Sequence, residues 1–186
     1  AQLLGQIMRN YDTPIAVSGT HGKTTTTSMI SQILLEADAD PTISVGGILP
    51  SIGGNIRVGQ SETFVTEACE YTNSFLSFFP KISVILNIDA DHLDFFKDID
   101  DIRHSFRKFA QLLPADGALI INADTPHYQD IIKDLSCKII TYGLEHEAQY
   151  QATDITYDKY GHASFTVLKD GRKAGSFYLK VPGSHN

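Results

Sequence analysis

The stretch Ala16–Ile30, AVSGTHGKTTTTSMI, decides how the rest of this chain is read. The apolar run Ile15–Ser18 before it has the look of a strand. Gly19 and Gly22 follow, then Lys23, four threonines and a run with helical spacing. Glycines let the backbone turn tightly and bring its N–H groups close to a phosphate. The helix that begins here aims its positive N-terminal end at the same place. Lys23 adds a full charge that reaches β- and γ-phosphates, and Thr24 offers a hydroxyl to Mg²⁺. The segment Gly19, Thr20, His21, Gly22, Lys23, Thr24 is therefore expected to hold a nucleoside triphosphate with its metal, and Thr25 to touch the α-phosphate. The loop departs from the Walker A pattern, because Val17 stands where that pattern has its first glycine. The competing reading is a glycine turn and helix cap that happen to contain lysine. The strand before and the helix after weigh against it.

Outward from this loop, short apolar runs alternate with helical stretches. Strands are expected at Ile15–Ser18, Thr42–Val45, Thr63–Glu67, Ile82–Ile88, Ala118–Asn122 and Lys138–Tyr142. Helices are expected at Lys23–Ala37, with Met29, Ile30, Ile33 and Leu34 on one face, around Ile102–Leu113 and near Pro126–Leu135. The glycine-rich GGILPSIGGNIRVG reads as a loop or short hairpin. Alternation of this kind predicts an α/β fold, a mostly parallel sheet flanked by helices. After Gly143 the pattern changes to three strand-like runs separated by the turns DKYGH and KDGRK. These predict a small antiparallel sheet over residues 148–182.

Ligands in such sheets bind at the carboxyl ends of the strands. Glu67 closes one strand, and Glu70 follows. Asn87, Asp89, Asp91, His92 and Asp94 follow another. Glu67 and His92 are the candidate metal ligands here. Alternatives stay open: a solvated strand end for Glu67, a capping or core histidine for His92, a helix cap for Asp91 and a surface lysine pair for Asp94. Cys69 reads as a small buried residue. His104, His127, His146 and His162 read as surface residues without partners.

Composition narrows the function classes. The 186 residues carry 42% hydrophobic and 20% charged side chains, as in an ordinary globular domain. A net charge of −7 argues against a basic nucleic-acid-binding surface. No apolar run is long enough for a membrane helix, and no signal peptide is visible. Cys69 and Cys137 form no CxxC pair and suggest reduced thiols in a cytoplasmic protein. The helical opening (Leu3, Leu4, Ile7, Met8) and the closing VPGSHN suggest a domain taken from a longer protein.

Four segments together resemble the Mur ligase family: VSGTHGKTTT (Val17–Thr26), EACEY (Glu67–Tyr71), NIDADHLDFF (Asn87–Phe96) and VPGSHN (Val181–Asn186). The resemblance covers essentially the whole chain and matches the middle, ATP-binding domain of three (residues 1–186 here). It implies a UDP-sugar domain before it and a closing domain after it. It implies ATP and Mg²⁺ as cofactors, with Lys23 on the β/γ-phosphates, Thr24 and Glu67 on one Mg²⁺ and His92 on a second. Lys23, Glu67 and His92 are then the catalytic residues, and His185 and Asn186 contact adenine. Asn87 and Asp89 are weaker transfers. No residue of DIRHSFRKF is assigned the carbamylated-lysine role found in sister ligases, which favours the member that joins L-alanine to UDP-N-acetylmuramate. The implied reaction passes through an acyl phosphate in peptidoglycan precursor synthesis, with no nucleic-acid or membrane partner. Two alternatives remain: another Mur-type or folylpolyglutamate-type amide ligase, and a non-catalytic ATP-binding module.

Overall fold

The computed structural model describes residues 1–183. Helix α1 (Gln2–Met8) leads into β1 (Thr13–Ser18), α2 (Lys23–Glu36), β2 (Thr42–Leu49), β3 (Gly54–Arg57), β4 (Thr63–Glu67) and β5 (Ile82–Ile85). Then come α3 (Ile99–Ala110), β6 (Ala118–Asn122), α4 (Tyr128–Ile132), β7 (Lys138–Gly143), β8 (Tyr150–Tyr157), β9 (His162–Lys169) and β10 (Arg172–Pro182). All ten strands join one sheet in the order β10-β9-β8-β7-β6-β5-β1-β4-β2-β3. The inner strands β2, β4, β1, β5, β6 and β7 run parallel. The α/β class and the antiparallel addition are as the sequence predicts. The addition is not a separate sheet, however, because β8 continues the parallel order through Tyr142–Tyr150 and Gly143–Gln151.

Alternation along each strand sends residues to opposite faces. Ala16, Phe64, Ile85, Leu119 and Ile121 line the face that carries the main core, together with Met8 of α1, Ile131 of α4 and Ile102, Phe106 and Phe109 of α3. Those three α3 residues recur at helical spacing, which is why this segment buries one stripe. Asp98 starts α3 by accepting N–H bonds from Asp100 and Asp101 at 3.1 and 2.9 Å.

Helix α2 packs against β1, β2 and β4. Its fully buried residues are Thr27 and Ser31; Met29, Ile30 and Leu34 of the expected face are half-buried, and Ile33 is exposed. The small hydroxyl residues bring the helix close to the sheet, and Ser31 satisfies its own hydroxyl on the Thr27 carbonyl at 2.7 Å. The strand expected over Ile82–Ile88 ends at Ile85, where Leu86–Ile88 leaves the ladder to run beside the glycine loop. The glycine-rich segment after Val45 extends β2 and folds back as β3, so it is a hairpin.

Candidate nucleotide and metal site

The carboxyl ends of β4, β1 and β5 lie side by side, and every candidate group outside the last three residues follows one of them. The turn after β1 requires glycine. Gly19 (φ 146°) and Gly22 (φ 83°) both occupy the positive-φ region. A Cβ at Gly19 would also come within 2.9 Å of the Leu86 side chain. Gly22 is the N-cap of α2, so the helix begins at Lys23 with its free N–H groups facing the loop.

The loop is held from β5. The Asn87 side chain accepts from the His21 N–H at 2.8 Å and donates to the His21 carbonyl at 3.0 Å. Thr20 donates its N–H to the Asn87 carbonyl at 3.2 Å and accepts the Asp89 N–H on Oγ1 at 2.9 Å. Asn87 and Thr20 are thus structural clamps on the cradle, a role that spacing alone did not reveal for Thr20.

Lys23 bends back over this loop. Its Nζ donates to the carbonyls of Gly19 (2.6 Å) and Thr20 (3.2 Å) and pairs with Glu70 Oε2 at 3.1 Å. Thr24 Oγ1 donates to Glu67 Oε2 at 2.9 Å, and the other Glu67 oxygen accepts the Gly46 N–H. A Cβ on Gly46 would sit 3.0 Å from Glu67 Oε2, and one on Gly47 3.2 Å from the Thr24 methyl. The glycines keep this cradle open from the β2 side. A hydroxyl and a carboxylate converging here are hard oxygen donors, and Mg²⁺ typically takes one or two such groups and completes its shell with phosphate and water. The residues present fit that ion.

His92 stands elsewhere. Its Nε2 lies 3.9 Å from Glu70 Oε1, and its ring packs on Tyr71 with centroids 4.6 Å apart. Tyr71 donates to Asp94 at 2.7 Å, which raises the phenol pKa because the hydrogen bond and the neighbouring charge favour the neutral form. So Asp94 pairs with a tyrosine rather than a lysine, and Asp91 accepts the His92 N–H while Asp98 caps α3. Glu70 joins Lys23 to His92, a link the sequence reading passed over. The signal was there in its spacing, three residues past Glu67. Cys69 is exposed although its neighbours Ala68 and Glu70 are buried; of the two cysteines only Cys137 is buried. Thr25 lies in the first turn of α2 beside Thr24, and His185 and Asn186 lie outside the described residues.

A cavity of about 400 Å³ opens beside the loop, lined by His21, Gly22, Asn87, Asn122, Tyr142 and residues of β8 and β9. Asp124 shapes its rim. Its carboxylate accepts N–H bonds from Leu144 (2.6 Å), His146 (2.8 Å) and Glu145 (3.2 Å), and pairs with His146 Nδ1 at 2.9 Å. Burial pushes the Asp124 carboxyl up, but these donors outweigh it and hold it below the usual range. Burial first, and Asp124 second, raise the Tyr142 phenol, so the cavity wall there is neutral. Three histidines read as partnerless have partners: His146 pairs with Asp124, His162 with Asp158 and Tyr178, and His127 with Asp130. In each case an aspartate lies on the adjoining turn or strand, a proximity that only folding creates for His146.

The Mur ligase middle-domain model matches residues 17–186. The chain belongs to the Mur ligase family. UDP-N-acetylmuramate–L-alanine ligase of Agathobacter rectalis is 61% identical over all 186 residues, and that of Caldanaerobacter subterraneus 56%. The chain spans 40% of the length of each. Among solved structures, the Neisseria UDP-N-acetylmuramate:L-alanyl-γ-D-glutamyl-meso-diaminopimelate ligase superposes with a TM-score of 0.86 at 30% identity, over all of this chain and 60% of that one. The UDP-N-acetylmuramate–alanine ligase of Thermotoga maritima gives 0.82 at 27% identity, over 97% of this chain and 40% of that one. This Mur ligase middle domain thus shares its fold with the matching part of these ligases over nearly its whole length. Among the described residues no helix is long and apolar enough to cross a membrane.

Proposed function

We propose that this chain is the ATP-binding middle domain of an ADP-forming ligase that joins L-alanine to UDP-N-acetylmuramate. The observation that carries the reading is the placement of Lys23, the Thr24–Glu67 pair and His92 at three adjacent strand ends, on a chain 61% identical to a protein of that name. The geometry supports the following roles. The glycine loop and the start of α2 receive the phosphates, with Lys23 turning from its carbonyl partners to the β/γ-phosphates. The adjoining cavity takes the nucleoside, its neutral wall at Tyr142 suiting a purine. Thr24 and Glu67 would hold one Mg²⁺ and His92 a second, and such ions supply charge neutralisation where a carboxylate must approach a triphosphate.

In the reaction proposed, the lactyl carboxylate of UDP-N-acetylmuramate attacks the γ-phosphorus and the bond to ADP breaks. The amine of L-alanine then attacks the acyl carbon and phosphate leaves. The residues of this chain bind and align the triphosphate end, which is where much of the rate gain in phosphoryl transfer arises. The sugar nucleotide and the amino acid require the other domains that the longer relatives contain. ATP, a UDP-sugar and a free amino acid as substrates place the reaction in the cytoplasm.

The test is a chimera. This chain replaces the matching segment of the Agathobacter rectalis relative, and phosphate release is measured with UDP-N-acetylmuramate and ATP. The reading predicts release that requires L-alanine and is abolished by Lys23→Gln. A folded chimera that releases phosphate only with another amino acid, or not at all, would refute it.

A further inference from the structure

Glu70 is the one charged side chain that is buried among the described residues, at 2% exposure, and the reading above gives it no part. Two groups face it. Lys23 Nζ lies 3.1 Å from Oε2 and 3.4 Å from Oε1, and His92 Nε2 lies 3.9 Å from Oε1. Among the described residues no backbone N–H donates to this carboxylate, in contrast to Glu67, which receives that of Gly46, and Asp124, which receives three. The backbone that carries Glu70 is held in place. Its carbonyl accepts the Asn73 N–H at 2.9 Å, and the preceding Cys69 carbonyl accepts both the Phe75 N–H and the Ser74 hydroxyl at 3.0 Å. Asn73 is tied in turn to Ser105 of α3.

The consequence is electrostatic. In the empty loop Lys23 neutralises Glu70. A triphosphate that draws Lys23 away leaves a buried carboxylate without a counter-charge, close to its own negative oxygens, and both effects oppose binding. A divalent cation that arrives with the triphosphate offsets both effects.

We propose that Glu70 is a positioning residue: its buried carboxylate holds Lys23 over the phosphate loop, and its charge opposes binding of a triphosphate that brings no divalent cation. The proposal rests on the nucleotide reading above. It gives the metal a charge to offset at Glu70 as well as on the phosphates.

The test is calorimetric titration of ATP into this chain, with and without Mg²⁺, for the unmodified protein, Glu70→Gln and Glu70→Asp. Glu70→Gln keeps size and an acceptor for Lys23 while removing the charge. It is expected to bind metal-free ATP at least about tenfold more tightly than the unmodified chain and to gain less from Mg²⁺. Glu70→Asp is expected to keep the metal dependence. Circular dichroism checks each fold, and Glu70→Met serves as the neutral variant if Gln disturbs it. Neutral variants that bind metal-free ATP no better, with the gain from Mg²⁺ unchanged, overturn the proposal. If the unmodified chain still binds Mg·ATP and Lys23→Gln abolishes this, the nucleotide reading survives that failure. Absence of Mg·ATP binding by every chain overturns the nucleotide reading and this inference with it.

Discussion

Thr24 and Glu67, 43 residues apart in the chain, meet across the sheet with the threonine hydroxyl 2.9 Å from the carboxylate. Each lies at the mouth of a parallel strand, and both reach into a space that Gly46 and Gly47 leave free. If this pair holds the nucleotide's Mg²⁺, Thr24→Val and Glu67→Gln should each weaken Mg·ATP binding by about 10- to 100-fold. Binding of metal-free ATP should change little. Titrations of the two forms of ATP read both numbers.

Asn87 clamps the phosphate loop through both His21 backbone groups. Asn87→Ala removes both bonds, and the exposed His21 N–H and carbonyl pass to water. A loss of about 0.5–1.5 kcal/mol in stability is expected, measured by urea unfolding. ATP affinity should fall as well, because the N–H groups of the loop lose their alignment.

Phe75 anchors the segment that carries Glu70. It is fully buried, stacked on Phe109 at 4.6 Å and edge-on to Phe106 at 5.4 Å. Phe75→Ala should cost about 3–5 kcal/mol. Urea unfolding of the unmodified chain and the variant gives that difference directly.

Asp124 makes stability depend on pH in a defined direction. Its carboxyl is lower in the fold than in the unfolded chain, since the Leu144, His146 and Glu145 donors outweigh burial. The resulting stabilisation is complete above the ordinary aspartate pKa of about 3.9 and is lost as pH falls through the folded value. The melting temperature of Asp124→Asn should therefore lie below that of the unmodified chain at neutral pH, and the gap should close as acid is added. A gap that stays constant down to about pH 2 would show that the charge is not what matters.

Much of this fold was legible because its signals are local. The β-branched and aromatic run Thr63–Glu67 stops where β4 stops, and the glycines of the loop fix the β1–α2 turn within five residues. What was not legible depends on partners far away in sequence. The strand after Lys81 ends at Ile85 because Asn87 is needed by His21, 66 residues earlier. Helix α2 buries Thr27 and Ser31 rather than Ile33 because close approach to β1, β2 and β4 favours small side chains over apolar ones. The site divides the same way. Lys23 and Thr24 follow from a continuous motif, and Glu67 and His92 from their strand ends. The role of Glu70 emerges only when two strand ends bring Lys23 and His92 to its two oxygens.

The measurement that bears most directly on the central claim is ATP binding to this chain, followed by calorimetry with and without Mg²⁺ and repeated with Lys23→Gln. The account predicts binding that Mg²⁺ strengthens and that disappears in the folded Lys23→Gln variant. Binding that survives the loss of the Lys23 charge, or no binding to the unmodified chain, would contradict it.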